Sequence, residues 1–364
     1  MERRRQAFGG GEDRILGPDL LRLGAMLMVI VLHILGQGGI LDAAPPGSGT
    51  WYAAWGLECL CYCAVDCCGL LSGFLSGGHR QHFSRLALLW LETVFWSLVY
   101  FALFRLLSPE AVGRQALVNA LFPVVRRQYW YFTGYFGLSL LRPVLDAGLD
   151  RVGSRRATAL FFLLFAVYCV LPGLMYSDAF RLHGGYTVLW LVILYLLGAL
   201  LRRSGFLRGL GLFPLLMTAA FCLALTFVTV LRPVSLPDFG TFTLLNYVSP
   251  TVLLFAACLL LLSVRARPRA GSRLLSGLSG ASFGVYILHT NPLLWQLAFR
   301  SGSLRSWAGL SAVALAVRVL VCAAGSYLLF AALSSLPALL FRLLGLPARL
   351  ERLEARVRRR IDGE

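Results

Sequence analysis

Long apolar runs, separated by short polar segments that carry arginine, divide the chain from residue 18 to residue 341. An α-helix needs about 20 consecutive apolar residues to cross the hydrocarbon core of a bilayer. The pattern therefore predicts ten membrane-spanning helices, at about 18–39, 52–76, 84–107, 129–147, 157–175, 185–201, 206–231, 244–264, 275–299 and 308–341. Proline interrupts the fourth run at Pro143, and the tenth helix is expected to break near Pro337.

Composition places the chain in the class of integral membrane proteins. Of its 364 residues 58% are hydrophobic and 14% charged, and the mean hydropathy is +0.73, whereas about 25% of a soluble domain is charged. The net charge of +17 comes from arginine without any lysine, which excludes a catalytic lysine, a Schiff base or a phosphate-binding loop of the GK[ST] type. The nine cysteines lie mostly in apolar runs, where they are expected to pack as small apolar residues without binding metal.

The distribution of arginine predicts the orientation in the membrane. If the N-terminus is cytoplasmic, arginines on the cytoplasmic side outnumber those on the other side by three to one, which predicts that both termini are cytoplasmic. Basic charge at the ends of apolar runs indicates topology and not a nucleic-acid partner. We predict an N-terminal cytoplasmic segment (1–17), one membrane domain (18–345) and a basic amphipathic tail (346–364). The tail is expected to lie on the anionic inner leaflet, with a short coiled-coil contact as the alternative.

The first predicted helix carries two ionisable residues on one face. Arg22 and His33 are eleven residues apart, which corresponds to about 1100° of rotation and about 16 Å along the axis. Asp19 precedes Arg22 by three residues and is expected to pair with it. A histidine deep in a membrane helix indicates a pathway or a reactive site, although Arg22 reaching the headgroups and His33 as an interhelical hydrogen-bonding residue are the structural alternatives.

Several other polar or aromatic residues are candidates for the same site: Asp66, Ser72, Arg80, Arg85, Trp130, Tyr131, Tyr135, Tyr286 and His289. The aromatic segment at residues 130–135 is typical either of an interfacial belt or of a face that binds an acceptor molecule. His289 is either a second buried partner of the site or a helix-packing residue.

Read in order, these motifs resemble membrane-bound acyltransferase family 3, which includes bacterial O-acetyltransferases. The resemblance covers nearly the whole chain. It rests on Arg-x10-His in the first helix, a Ser-Gly-aromatic motif, a basic residue at the start of the third span, a Trp-Tyr-x-x-x-Tyr segment and a Ser-x-Gly-x-Tyr-x-x-His motif. The matching residues are Arg22 with His33, Ser72-Gly73-Phe74, Arg85, Trp130 with Tyr131 and Tyr135, and Ser282, Gly284, Tyr286 and His289.

The resemblance implies transfer of an acyl group, most often acetyl, from cytoplasmic acyl-CoA to a sugar hydroxyl. The acceptor would be a cell-surface glycan or its polyprenyl-linked precursor, the enzyme a multi-pass protein of the inner membrane, and no metal is expected. His33 would be the general base or would carry the acyl group covalently, and Asp66 would orient its imidazole. Arg22, Arg80 and Arg85 would bind the phosphates of acetyl-CoA, and the remaining candidates would bind substrate: Trp130, Tyr131, Tyr135, Tyr286 and His289.

Two other functions fit the sequence. A transporter or exporter of a glycan, or of a small polar solute such as serine, would also place histidine and carboxylates at mid-depth in the membrane. A structural scaffold would predict that Arg22, His33 and Asp66 can all be replaced at little cost.

Overall fold

The computed structural model describes residues 16–76, 81–175, 177–204, 209–236, 240–266, 272–299 and 304–362. These residues form helices, with one short two-stranded antiparallel hairpin, Val234–Leu236 with Gly240–Phe242. The helices are α1 (Gly17–Leu35), α2 (Ile40–Ala43), α3 (Gly49–Cys61), α4 (Ala64–Phe74), α5 (Phe83–Leu107), α6 (Arg114–Leu121), α7 (Trp130–Leu149), α8 (Ser154–Phe165), α9 (Leu171–Met175), α10 (Val188–Arg203), α11 (Leu212–Leu231), α12 (Pro250–Arg265), α13 (Ser272–His289), α14 (Pro292–Ala298), α15 (Ala312–Leu333), α16 (Ser335–Leu343) and α17 (Leu346–Asp362).

Six helical segments of the described chain are long and apolar enough to cross a membrane: Gly17–Leu35, Gly49–Phe74, Phe83–Leu107, Ser154–Met175, Leu212–Leu231 and Ala312–Leu343. The predicted helical membrane fold is therefore confirmed. The other four predicted spans coincide with α7, α10, α12 and α13. Two of these helices, α10 and α12, have only 16 residues each, which is short of the usual membrane-spanning length. The count of ten spans and the cytoplasmic location of the termini remain predictions.

Helix α1 lies at the centre of the bundle. It packs against α3, α4, α12, α13 and α15, and Ala25, Ile30 and Leu35 along it are at most 3% exposed. The segment Ser154–Met175, by contrast, is only 6% buried, which is expected of an apolar helix whose neighbours are lipid tails. The fold thus places the helix that carries Arg22 and His33 where five other helices surround it.

Helices α4 and α10 cross at very short distance, and glycine makes the approach possible. A Cβ atom on Gly73 would lie 1.8 Å from the carbonyl oxygen of Tyr195, and one on Gly198 would lie 2.0 Å from that of Leu70. Small residues at such crossings let two backbones come into direct contact. The Ser72-Gly73-Phe74 motif therefore has a packing role, because its glycine allows α4 to pack directly against α10.

The last apolar run is broken between two helices. Helix α15 ends at Leu333, and α16 begins at Ser335, with Ser334 at the boundary. The break precedes Pro337 by three residues, so the proline occupies the first turn of α16, where its missing N–H costs no hydrogen bond. The predicted break near Pro337 is confirmed.

The predicted amphipathic tail forms helix α17, which is anchored to the start of α5. The Glu354 carboxylate accepts hydrogen bonds from the backbone N–H groups of Phe83 (3.2 Å) and Ser84 (3.0 Å), and also pairs with Arg358. Partial burial alone would raise the pKa of Glu354, but hydrogen bonds from Ser84, Phe83 and Arg358 outweigh it and lower that pKa to about 2. Contact of the tail with the inner leaflet remains a prediction.

Candidate functional site

Arg22 is held at its predicted position by two partners. Its Nη1 atom lies 3.1 Å from Asp19 Oδ1 and 3.1 Å from Ser279 Oγ on α13, and the Ser279 hydroxyl in turn donates to Asp19 at 3.1 Å. The predicted pair between Asp19 and Arg22 is therefore confirmed. Ser279, which the sequence analysis missed, fixes the arginine against a second helix.

His33 is paired with His289, the last residue of α13. The Nδ1 atom of His33 lies 3.1 Å from the Nε2 atom of His289, and the ring centroids are 5.1 Å apart. His289 is 6% exposed, whereas His33 is half-buried. Of the two interpretations of His289 left open by the sequence, the structure shows a buried partner of His33.

The hydrogen bonds fix the tautomer of each imidazole. The second nitrogen of His289, Nδ1, lies 2.7 Å from the carbonyl oxygen of Val285, and a carbonyl can only accept, so this nitrogen carries a proton. A neutral His289 then has an unprotonated Nε2, which accepts a hydrogen bond from the Nδ1–H group of His33. The reverse arrangement would require an imidazolium in a buried site, which is costly. The Nε2 atom of His33 is therefore left with its lone pair.

Three further side chains hold the peptide segment that follows His289. Trp295 Nε1 donates to the carbonyl oxygen of His289 at 2.6 Å, and the Tyr100 hydroxyl donates to that of Leu288 at 2.9 Å. Asn291 donates to the Tyr129 hydroxyl at 2.7 Å. Because α13 ends here, the carbonyl groups of Leu288 and His289 have no helical N–H partner and accept hydrogen bonds from side chains instead.

Trp295 also contacts the other histidine. Its ring meets that of His33 edge to face, with centroids 4.7 Å apart. One indole therefore fixes the main chain of His289 and packs on the imidazole of His33. The sequence analysis missed Trp295; the Asn291-Pro292 pair that begins α14 predicts a new helix here, but not the direction of its side chains.

A cavity of about 220 Å³ lies between α1, α4, α5, α7 and α13. It is lined by Arg22, Met26, Cys68, Leu71, Ser72, Leu89, Tyr131, Phe132, Tyr135, Ser282, Phe283 and Tyr286. Six of these residues belong to motifs that the sequence analysis singled out in four separate parts of the chain: Arg22, Ser72, Tyr131, Tyr135, Ser282 and Tyr286. The fold thus brings them into one space.

Tyr286 lies between the cavity, which it lines, and the histidine pair, whose members are not among the lining residues. This tyrosine lies one turn before His289 on α13, and the two ring centroids are 6.3 Å apart. Ser72 faces the cavity while its hydroxyl donates to the carbonyl oxygen of Cys68 at 2.8 Å. The cavity is therefore bounded by an arginine at one wall and by Tyr286, which contacts His289, at another.

The expectation that Asp66 orients His33 is corrected by the structure. Asp66 is fully buried and accepts a hydrogen bond from Trp190 Nε1 at 3.1 Å, which ties α4 to α10. The partner of His33 is His289. The sequence could place Asp66 in an apolar helix, but the face of α4 that carries Asp66 is set by the glycine contacts with α10.

Two other candidates, Arg85 and Trp130, are not among the cavity-lining residues. Arg85 is exposed in the first turn of α5 and is not among the cavity-lining residues, and Arg80 falls outside the described residues. Trp130 faces away from the cavity and packs on Tyr186 and Tyr247. Of the two predicted phosphate-binding arginines that the structure describes, Arg22 lines the cavity and Arg85 does not.

Fold and site together define the class: an α-helical membrane protein with a hydrogen-bonded pair of histidines near a largely apolar cavity that also contains Arg22 and Ser72. A family model described as an acyltransferase domain matches residues 15–343. The chain therefore belongs to acyltransferase family 3, which confirms the resemblance seen in its motifs. No curated protein and no solved structure gave a match.

Proposed function

We propose that this membrane acyltransferase transfers an acyl group, with acetyl as the expected one, from acyl-CoA to a hydroxyl of a cell-surface glycan or its lipid-linked precursor. His33 serves as the general base. The observation that carries this proposal is the hydrogen-bonded pair of His33 and His289, whose tautomers leave His33 Nε2 free to accept a proton.

The chemistry follows from that free nitrogen. His33 Nε2 takes the proton of the acceptor hydroxyl as its oxygen attacks the thioester carbonyl carbon. The C–S bond of the resulting tetrahedral intermediate then breaks, and the imidazolium of His33 returns the proton to the leaving thiolate, which gives CoA and an ester. His289 stabilises the imidazolium, because its Nε2 lone pair accepts the hydrogen bond from His33 Nδ1.

The cavity is suited to the thioester end of the donor. Its volume of about 220 Å³ is below the usual range for pockets that enclose a whole ligand, so the nucleotide would remain outside. Arg22 at the cavity wall would bind a phosphate oxygen, since guanidinium matches phosphate geometry. Entry of the donor from the cytoplasm follows from the predicted topology.

His33 could also carry the acyl group itself, because a covalent relay needs the same nitrogen in the same place. In that case His33 Nε2 attacks the thioester carbonyl carbon, the C–S bond breaks, and CoA leaves as the thiol with the proton from His33 Nδ1. The acceptor hydroxyl then takes the acyl group and returns its proton to the imidazole. The relay predicts a burst of CoA, one equivalent per enzyme, before any acceptor is added. General base catalysis predicts only slow hydrolysis under the same conditions.

The test is CoA release from acetyl-CoA by the purified chain in nanodiscs, detected with a thiol reagent. Wild type is compared with His33→Ala and with His82→Ala, since His82 is an exposed histidine next to α5. We expect release by wild type and His82→Ala and a loss of at least about 100-fold in His33→Ala. Wild-type release rates in a well-folded His33→Ala protein would refute the role of His33.

A further inference from the structure

Four aromatic rings form one continuous cluster, which we call the aromatic platform: Tyr62, Trp130, Tyr186 and Tyr247. Tyr62 and Tyr247 stack with centroids 4.7 Å apart and planes inclined by 29°. Trp130 stacks on Tyr247 at 6.3 Å and 27°, and it contacts Tyr186 at 4.6 Å. Four separate parts of the chain thus contribute one ring each.

One ring of the platform is buried in the protein, whereas another is exposed. Tyr247 is 5% exposed, whereas Tyr186 is 38% exposed, and Tyr62 and Trp130 are half-buried. Gly185, with φ +97°, supports the buried side, because a Cβ atom there would lie 2.6 Å from Tyr247 Cβ and 2.9 Å from Trp190 Cδ1. An interfacial aromatic belt consists of rings that each face lipid, which differs from a mutually packed surface with a buried member.

Backbone strain is concentrated in the segments that hold Tyr186. Arg181 and His183 both adopt positive φ, at 51° and 48°, and Asp178 accepts hydrogen bonds from the N–H groups of Leu182 and His183. Arg127, with φ 52°, donates to the carbonyl oxygen of Tyr186 at 2.8 Å. Such conformations persist where the surroundings enforce them and are enriched at functional sites.

A chain of ring contacts joins the platform to the catalytic pair. Trp130 is 5.7 Å from Tyr131, and Tyr131 is 5.8 Å from Tyr286, centroid to centroid. Tyr286 in turn contacts His289, the partner of His33. Two intervening rings, those of Tyr131 and Tyr286, therefore join the platform to His289.

We propose that the aromatic platform binds a sugar ring of the acceptor, an inference that rests on the proposed glycan acylation. The face of a pyranose that carries axial C–H groups is apolar and weakly positive, and it stacks on the negative face of an aromatic ring. The exposed side chains of Arg127 and Asn246 at the rim supply hydrogen-bond donors for hydroxyl groups. This mixture of an apolar floor and a few polar groups is typical of ligand sites.

The platform is tested by saturation-transfer NMR on the chain in nanodiscs. The probes are glucose, galactose, mannose, rhamnose and N-acetylglucosamine, each as the free sugar and as a short-chain polyprenyl diphosphate conjugate. Wild type is compared with Tyr186→Ala and with Tyr52→Ala, because Tyr52 is 46% exposed on α3 and lies outside the platform. Signals from conjugates alone would identify the lipid-linked precursor as the source of the sugar.

We expect at least one probe to bind wild type and Tyr52→Ala, and to bind Tyr186→Ala roughly three- to tenfold more weakly. The absence of binding by every probe, or equal weakening in both variants, would overturn the platform. His33→Ala keeps sugar binding if the platform is correct. Sugar binding without CoA release from wild type would support the platform and count against the proposed acyl transfer, so the two failures are distinguishable.

Discussion

The Nδ1 atom of His33 lies 3.1 Å from the Nε2 atom of His289, although the two residues are 256 positions apart in the chain. Val285 fixes the direction of this hydrogen bond, because its carbonyl oxygen requires a proton on the other nitrogen of His289. A neutral base with one defined tautomer results from two helices and needs no carboxylate. The predictions that follow test each part of that arrangement.

Replacement of His289 by alanine should slow the reaction without removing donor binding. His33 loses the acceptor of its Nδ1–H, so the imidazolium formed during the reaction is less stable, and we expect kcat to fall by about 10- to 100-fold. Steady-state kinetics across pH 5 to 9 check this, with a changed pH profile expected in the variant. His82→Ala is the control, and unchanged kcat and pH profile in His289→Ala would contradict the positioning role.

Trp295 should influence the rate through two separable contacts. Trp295→Phe keeps a ring beside His33 but loses the hydrogen bond to the His289 carbonyl, so a several-fold loss in kcat is expected, within the range of about 0.5–1.5 kcal/mol for one hydrogen bond. Trp295→Leu loses both contacts and should be slower still. The KM for acetyl-CoA should stay constant in both variants. Equal kcat values for wild type and Trp295→Leu would show that Trp295 fills space between the helices without affecting the reaction.

Asp66 should tolerate asparagine but not leucine. Asp66→Asn retains an oxygen to accept the hydrogen bond from Trp190, so both kcat and thermal stability should remain close to wild type. Asp66→Leu leaves the buried Trp190 N–H without an acceptor, which is expected to cost about 1–3 kcal/mol. Thermal unfolding in detergent and kcat measure the two effects. A large drop in kcat of a stable Asp66→Asn protein would restore Asp66 as a catalytic residue.

Gly73 should be required for folding because of its position against α10. A methyl group there would lie 1.8 Å from the Tyr195 carbonyl oxygen, so Gly73→Ala forces α4 and α10 apart and should sharply reduce the yield of folded protein. Gly24→Ala is the matched control, since a Cβ atom at that helical position meets nothing within 4 Å. Fluorescence-detected size exclusion compares the two. Normal yield of Gly73→Ala would show that the crossing can adjust.

Docking of the tail helix should depend on the charge of Glu354. Its folded pKa of about 2 is below the ordinary value of 4.5, so the stabilisation is complete above about pH 4.5 and is lost as the pH falls toward 2. Glu354→Gln should release α17 already at neutral pH, which limited proteolysis would detect as faster cleavage of the tail. Glu351→Gln, at an exposed position of the same helix, is the control. Equal cleavage rates in the two variants would rule out Glu354 as the anchor.

Much of the general architecture could be predicted from the sequence. Hydropathy alone predicted a helical membrane protein, because about 20 apolar residues are needed per span wherever they lie in the chain. The order of the motifs indicated acyltransferase family 3, and the family match over residues 15–343 confirms it. The pairing of Asp19 with Arg22 was also predictable, since residues three apart on a helix are neighbours.

Tertiary structure decided which of the candidate residues meet. Asp66 and His289 were both plausible partners of His33, and only the packing of α1 on α13 selects His289, while the glycine contacts of α4 turn Asp66 toward Trp190. Trp295 and the aromatic platform likewise join rings from distant segments. The sequence by itself determined where apolar helices form, because local hydropathy sets this. The faces that meet, and hence the site, follow from side-chain packing between helices, which no local pattern encodes.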